Sequence, residues 1–389
     1  MKTKGGGIFT CNALNDKEAR NLAVLELVRK KGVISRTDIS RATGINVVSV
    51  SNYIGNFIEE GLVIEKGLAA SSGGRKPELV ELNVKDNRVL GVDICDTSLC
   101  VILADIGMNV ITKKKTARPG KKKEVAGAVM SLIENVAGPA GLAKAGVKSI
   151  GISVSSESLL PVREAVEKKF GINTFIGDAT SCAAFAEKRF NKEADVKRLL
   201  YLHSDLGRGV IIDGEICIGC VDDSREPRPP AQAGEGGSES PDARKAKYLN
   251  PWNSCLGMVE TAKREVARGV GTRIVSLAGS DIGNITESTV MDAAGQNDET
   301  ALSIIQSVMI SLGLRTAYLI NLFAPDIVVI GGGPEKAPAM TVSLIDKMVK
   351  KLSAKEHIDK IKVIPSKSGE EGLCLGASAL AVREIFLKA

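Results

Sequence analysis

One stretch, residues 33–62 (VISRTDISRATGINVVSVSNYIGNFIEEGL), constrains this chain more than any other. Its spacing predicts two short helices joined by a tight turn. The first runs over 36–43, with Ile39 and Ala42 facing inward. Ser35 is a favourable N-cap, and Asp38 puts negative charge at the positive end of the helix. Gly44 supplies a turn residue that takes positive φ without steric cost. Asn46 can cap the second helix, 47–60, in which Val47, Val50, Ile54, Phe57 and Ile58 recur at helical spacing. Among them stand Ser49, Ser51, Asn52 and Asn56, short and polar, with no carboxylate before Glu59. Such a face suits the DNA major groove, where short polar groups reach base edges and phosphates without repulsion.

The sequence that follows strengthens this reading. Two strand-like runs, 62–66 and 78–82, flank a Gly/Ser loop carrying Arg75 and Lys76. That is the pattern of a winged helix-turn-helix domain over residues 16–82. Gly73, Gly74 and Pro77 favour an extended loop, whose two cations can enter a minor groove or lie along phosphates. Ser35, Arg36 and Thr37 are the candidates for phosphate contact. Asn46, Ser49, Ser51 and Asn52 are the candidates for reading or flanking bases. The plain alternative is a surface helical hairpin with a solvated turn.

Charge distribution agrees. Residues 1–88 hold 14 Lys/Arg against 10 Asp/Glu, a surplus of four in a chain whose net charge is +6. The polyanion partner, double-stranded DNA, is therefore expected at the front of the chain. Aromatic residues make up 3%, which argues against reading single strands by base stacking. The cysteines (Cys11, Cys95, Cys100, Cys182, Cys217, Cys220, Cys255 and Cys374) stand mostly in apolar runs. They read as reduced thiols of a cytoplasmic protein with no secretory signal. No apolar run is expected to reach the length of a membrane span.

Residues 1–15 read as disordered, Asp16–Lys31 as an amphipathic helix, and 83–88 as a short polar linker. From Val89 onward strand-like and helical runs alternate, which predicts an α/β fold, and two βββαβα-like halves fit the order. Residues 221–250, rich in Pro, Gly, Ser and charge, read as a long exposed loop.

After the winged pattern come LGVDI, IGDATSCAAFAE, AGEGG, GMVE, NLFAPDIVVIGGG and LGASALA, in that order. With it they resemble the ROK family (repressors, uncharacterised reading frames, sugar kinases) over residues 16–389, and its repressor branch in particular. The resemblance implies an actin-like, two-lobed sugar-kinase fold with a sugar held between lobes. Lobe 1 would cover 89–190 and lobe 2 would cover 191–389, with the final helix able to return to lobe 1. It further implies a homodimer on a pseudo-palindromic operator, with a sugar or sugar derivative as effector. Asp178 matches the family's catalytic base, and Glu235 and Glu260 match sugar-contacting carboxylates. Asp178 can equally cap the helix after it.

Several positions depart from the kinase pattern. Where a kinase of this family carries Asp, an apolar residue, Gly, Gly, Thr, this chain has Asp93-Ile94-Cys95-Asp96-Thr97. Side chains there block close backbone approach to phosphate, and Asp96 adds a repelling carboxylate. Gly207-Arg208-Gly209 keeps part of a second phosphate loop. Gly331-Gly332-Gly333 resembles a nucleotide-side turn or a plain strand-to-helix turn. Ser238 replaces the family's zinc-binding His and Met258 a Cys, so no metal is expected. Cys217-x-x-Cys220 has the spacing of half a metal site, yet reads as structural cysteines. The expectation is a sugar-responsive transcriptional regulator without enzyme activity or cofactor. An active sugar kinase with an added DNA-binding domain is the alternative, and a regulator answering only to a protein partner is a third reading.

Overall fold

The computed structural model describes residues 14–68, 77–95, 98–139, 141–155, 159–190, 196–203, 207–212, 215–218, 254–331, 340–352 and 361–389. The stretches 1–13 and 221–250 lie outside the described residues, as do Arg75, Lys76, Asp96, Cys220, Glu235, Ser238, Gly332 and Gly333. The chain divides into two compact units, 1–178 with 373–389, and 179–372.

The first unit opens with α1 (Asp16–Lys31), β1 (Ile34–Ser35), α2 (Arg36–Thr43), α3 (Val47–Glu59), β2 (Val63–Leu68) and β3 (Glu78–Leu82). A capping box between Asn15 and Glu18 starts α1. Val24, Leu25, Val28, Ile39, Val50, Ile54 and Val80 are buried. The strands order as β1-β3-β2, with β2 and β3 antiparallel from Val63↔Leu82 to Leu68↔Glu78. Three helices and a two-stranded wing are what the sequence pattern predicts.

Residues 83–88, expected to be a linker, form a corner instead. Asn87 is buried and donates through Nδ2 to the Gly61 carbonyl at 2.8 Å and the Asn83 carbonyl at 2.9 Å. Asn83 donates to Gly61 at 3.0 Å. Buried amides held by backbone carbonyls make a stiff joint, because each lost bond leaves a polar group unsatisfied.

The unit continues with β4 (Arg88–Ile94), β5 (Ser98–Asp105), β6 (Val110–Ala117), α4 (Lys122–Ala137), α5 (Gly141–Lys144), β7 (Val147–Val154), α6 (Leu160–Phe170) and β8 (Thr174–Asp178). The sheet order is β6-β5-β4-β7-β8, with an antiparallel meander on one side and parallel strands on the other. Val125, Val129, Leu132, Ile133 and Val136 give α4 an apolar stripe on this sheet.

The second unit holds α7 (Ala179–Phe190), β9 (Arg198–His203), β10 (Gly207–Ile212), β11 (Glu215–Ile218), α8 (Ser254–Ala267), α9 (Arg273–Leu277), α10 (Glu287–Gly295), α11 (Glu299–Phe323), β12 (Ile327–Gly331), α12 (Met340–Leu352) and β13 (Lys362–Pro365). Its sheet order, β11-β10-β9-β12-β13, repeats the first unit's pattern of three antiparallel strands followed by two parallel ones. The two expected βββαβα halves are thus present. The division falls at 178/179 rather than after 190, because α7 packs on β9 and β10. Within this unit the buried Glu187 of α7 accepts from Ser366 Oγ at 2.5 Å, Lys367 N at 3.0 Å and Ser368 N at 2.8 Å. One carboxylate thereby fixes the turn after β13.

A final helix, α13 (Gly372–Lys388), belongs to the first unit from Leu373 onward. Gly91 of β4 and Gly151 of β7 are register partners. A Cβ at Gly91 would meet the Ser378 hydroxyl and the Cys374 carbonyl, and one at Gly151 would meet the Ala377 backbone. The helix therefore lies against the sheet with no side chain between, and the Cys374 thiol donates to the Gly91 carbonyl at 3.0 Å. At its other end Phe386, fully buried, packs edge-on against Phe57 of α3 with centroids 5.0 Å apart. One rod thus touches both the sheet and the winged domain.

One expectation needs correcting. Helix α11 is 25 residues long with a mean hydropathy of 1.4 in its most apolar window, enough to cross a membrane by length and composition. So is the stretch Lys122–Lys144, at 1.3. Core helices meet the same criterion, and the α11 window is 53% buried within the protein.

Burial lowers the pKa of His203, at the end of β9, to about 4. The unfolded chain, with a pKa near 6.5, binds this proton more readily. Stability is thus fully present above pH 6.5 and falls as pH drops toward 4. We expect His203→Asn to flatten the stability difference between pH 7 and pH 4.5 by about 2 kcal/mol, measured by urea unfolding. An unchanged pH profile would contradict this assignment.

Candidate nucleic-acid interface

The helix pair is fixed by its caps. Ser35 Oγ accepts from Asp38 N at 3.1 Å and donates to Asp38 Oδ2 at 2.7 Å. Gly44 sits in the left-handed region (φ 72°, ψ 1°) and donates to the Ser40 carbonyl at 2.9 Å. Ser40 Oγ donates to the Ile45 carbonyl at 2.6 Å, and Asn46 Oδ1 accepts from Ser49 N at 2.8 Å. Val50, Ile54 and Phe57 bury one face of α3. The other face carries Val48 and Asn52 in solvent, with Ser49 and Ser51 half-buried beside them. From Val47 through Ile58 the helix carries no charge. A capped helix start with short polar and apolar side chains in solvent and no carboxylate suits a groove-reading element.

Of the expected contacts, Thr37, Asn46 and Asn52 are exposed at this surface. Two others are engaged elsewhere. Ser35 is buried, and its hydroxyl is committed to the cap. The Arg36 guanidinium pairs with Glu65 at 3.2 Å and Glu78 at 3.4 Å, tying α2 to the wing strands. Both side chains build the domain rather than face outward. Ala42, expected to point inward, is exposed, because so short a helix buries Ile39 alone.

Reading by polarity missed Val48, which is 68% exposed. A large apolar side chain so placed beside Asn52 suits the methyl group of thymine. The signal was present: Val48 and Asn52 are four residues apart, on the side of α3 away from its buried residues. Arg75 and Lys76 lie outside the described residues, between the ends of β2 and β3.

The positions implied by the kinase resemblance are divided. Asp178 is buried at the end of β8, in register with Val154. It belongs to the first unit, and Glu260 to the second. Glu260 is exposed on α8, 3.8 Å from Lys263. Glu235 lies outside the described residues. At the first phosphate loop Cys95 N donates to the Ser98 carbonyl at 3.0 Å, and its thiol donates to Asp93 Oδ2 at 2.7 Å. Arg118 Nη1 donates to the Cys95 carbonyl at 3.1 Å. Burial raises the pKa of Asp93, partly offset by the hydrogen bond from Cys95. The Cys95 amide, which a phosphate-binding turn would offer to its ligand, is therefore spent in a β-hairpin. Gly207-Arg208-Gly209 lies in strand β10, opposite Leu202 and its neighbours, rather than in a loop. Gly331 leaves room for the Tyr201 hydroxyl, so it has a packing role of its own. Met258 is fully buried in the core of the second unit.

Comparison with known proteins agrees with this architecture. The ROK family model matches residues 89–222 and 267–384. The xylose repressor of Caldicellulosiruptor bescii is 26% identical over 95% of this chain and 97% of its own length. A solved ROK family transcriptional regulator, described as a homologue of the E. coli MLC protein, superposes with a TM-score of 0.74 at 22% identity. It covers 95% of this chain and 96% of its own. A ROK family glucokinase from Streptomyces griseus, solved with glucose and AMPPNP, gives a TM-score of 0.62 at 19% identity. It covers 76% of this chain and 99% of its own. The fold is the actin-like one of these proteins, with a winged helix-turn-helix domain in front, and the chain belongs to the ROK family.

Proposed function

We propose that this protein is a DNA-binding transcriptional regulator, a cytoplasmic, sugar-responsive repressor of carbohydrate genes that acts as a homodimer. The uncharged, solvent-facing start of α3 carries the reading. Asn46, Val48, Ser49, Ser51 and Asn52 read bases, Thr37 meets phosphate, and Arg75 with Lys76 works in the minor groove. The names of relatives such as the xylose repressor support a carbohydrate effector. Asp178, Glu235 and Glu260 are the residues proposed to hold it. A sugar acts as inducer if it prefers the state of the protein that fits the operator less well.

The same reading makes the protein a non-enzyme. The hairpin bond of the Cys95 amide and the thiol on Asp93 occupy the place of a first phosphate cradle. The retained Asp178 favours a kinase as the second reading. Selection of genomic duplex fragments by purified protein, with ATP turnover and sugar-induced thermal shift followed in parallel, tests both. We expect enrichment of a pseudo-palindromic site, stabilisation by a sugar or sugar derivative, and no sugar-dependent ATP consumption. ATP-dependent sugar phosphorylation abolished by Asp178→Asn, with no enriched duplex, would overturn the proposal.

A further inference from the structure

We infer that Cys100 and Cys374 are a peroxide-responsive thiol pair, and that their oxidation to a disulfide staples the first turn of α13 to β5. The inference stands apart from the DNA reading. Three cysteines gather on the sheet face of the first unit that α13 covers. Cys95 donates its thiol to Asp93 Oδ2 at 2.7 Å. Cys100 is the register partner of Asp93 across β4 and β5, so the two side chains rise from the same face. Gly91, two residues before Asp93, shares that face, and a Cβ there would meet the Cys374 carbonyl. Cys374 therefore sits directly over the strand pair. Its Sγ is 3.0 Å from the Gly91 carbonyl oxygen and 3.5 Å from that of Cys100, and its thiol is in hydrogen-bond contact with the Cys100 side chain.

The two thiols are unlike, and the difference assigns their roles. Cys100 is half-buried and open to a small solute, whereas Cys374 is fully buried. Lys115, the register partner of Cys100 on β6, sets a cation on the same face. Thiols beside a cation react as thiolates. Burial, with Cys100 and Asp93 adjacent, pushes the Cys374 thiol up, so it stays protonated until a partner sulfur is presented. Attack therefore falls to Cys100 and resolution to Cys374. The oxidant is a hydroperoxide such as hydrogen peroxide. The Cys100 thiolate attacks one peroxide oxygen: the S–O bond forms, the O–O bond breaks, and the departing hydroxide takes up the proton Cys100 gave up. The Cys374 sulfur then attacks the sulfenic sulfur: the S–S bond forms, the S–O bond breaks, and hydroxide leaves as water with the Cys374 proton. Two thiols and one hydrogen peroxide give one disulfide and two waters. The chain re-enters the first unit at Leu373, so the bond fixes α13 one residue beyond that crossover. It also closes a loop of most of the chain, which restricts the unfolded state.

Full-length protein exposed to equimolar hydrogen peroxide, capped with N-ethylmaleimide and digested without reductant, tests this by mass spectrometry. The expected main product is a peptide pair joined through Cys100 and Cys374, released by dithiothreitol. Cys374→Ala should leave a sulfenic acid at Cys100 that dimedone traps, and Cys100→Ser should leave Cys374 unmodified. Because Cys100 is half-exposed, its variant carries the test even where Cys374→Ala fails to fold. The oxidised wild type should melt several degrees above the reduced protein, a gain absent from both variants. In urea that unfolds the protein the link should form about 10-fold more slowly or worse, because the two sulfurs are no longer held together. Thiols that stay reduced, sulfinic acid at Cys100 without a link, a main link to Cys95 or another cysteine, or linkage as fast in urea would each overturn the inference. A linked protein that melts as the reduced one does would overturn the stapling.

Discussion

Alanine at Gly151 is expected to drive the terminal helix off its sheet. The added Cβ would fall within the backbone of Ala377, and Gly91 alongside has the same problem with Cys374 and Ser378. Overpacking usually costs about 1–3 kcal/mol, and more where backbone meets backbone, because neither side has a rotamer to change. For a unit of this size, roughly 3 kcal/mol lowers the melting temperature by about 6–12 °C. The effect should travel. Phe386, at the other end of α13, fills the space against Phe57 on the back of α3. A helix released at Gly151 no longer holds that ring in place, so the winged domain loosens. Hydrogen exchange should show residues 373–389 and α3 losing protection together in Gly151→Ala. Phe386→Ala, which removes about 3–5 kcal/mol of buried ring packing, should loosen α3 while leaving the helix start protected. Wild-type protection of 373–389 in Gly151→Ala would show that the sheet and helix are not in direct contact.

The second large effect concerns the exposed side of α3. Val48→Asp puts a carboxylate into the surface proposed to face the groove, where phosphates and base acceptors would repel it. We expect affinity for the selected duplex to fall more than 100-fold, with the melting temperature within a degree or two of wild type, since Val48 packs against little. Asn52→Ala should cost about 10–100-fold, as expected for one lost base contact of ~1–3 kcal/mol, and relax discrimination at one position. Arg36→Ala should behave in the opposite way, because its guanidinium joins α2 to Glu65 and Glu78. It should lower stability more than affinity. Fluorescence anisotropy at fixed salt separates the three. Equal binding by Val48→Asp and wild type would remove α3 from the interface.

The parts of this fold that could be read from sequence are those set by local rules. Ser35, Gly44 and Asn46 act as the caps and turn their residue types suggest. The wing strands pair as their alternation implies, and the two βββαβα halves follow from the order of runs. What escaped was set by tertiary partners. Arg36 reads as a phosphate contact until Glu65 and Glu78 are seen across from it, and polar residues 83–88 read as a linker until Gly61 supplies their acceptors. The assignment of α7 depends on the sheet it covers, and that of α13 on glycines more than 220 residues before it. For α11, apolar composition concealed a division between a buried face and an exposed one. Conversely, the exposure of Val48 could have been read from helical spacing alone, since it lies opposite Val50, Ile54 and Phe57 on α3.

Salt dependence of duplex binding is the sharpest test of whether the winged domain grips DNA through its phosphates. Full-length protein is titrated into its selected duplex between about 50 and 200 mM salt, the range over which proteins with 6–10 phosphate contacts lose roughly 10³–10⁵ in affinity. A steep linear fall in log affinity with log salt is expected, with Asn52→Ala displacing the line but keeping its slope. Affinity that is flat across this range, or no duplex binding at its lowest salt, would contradict it.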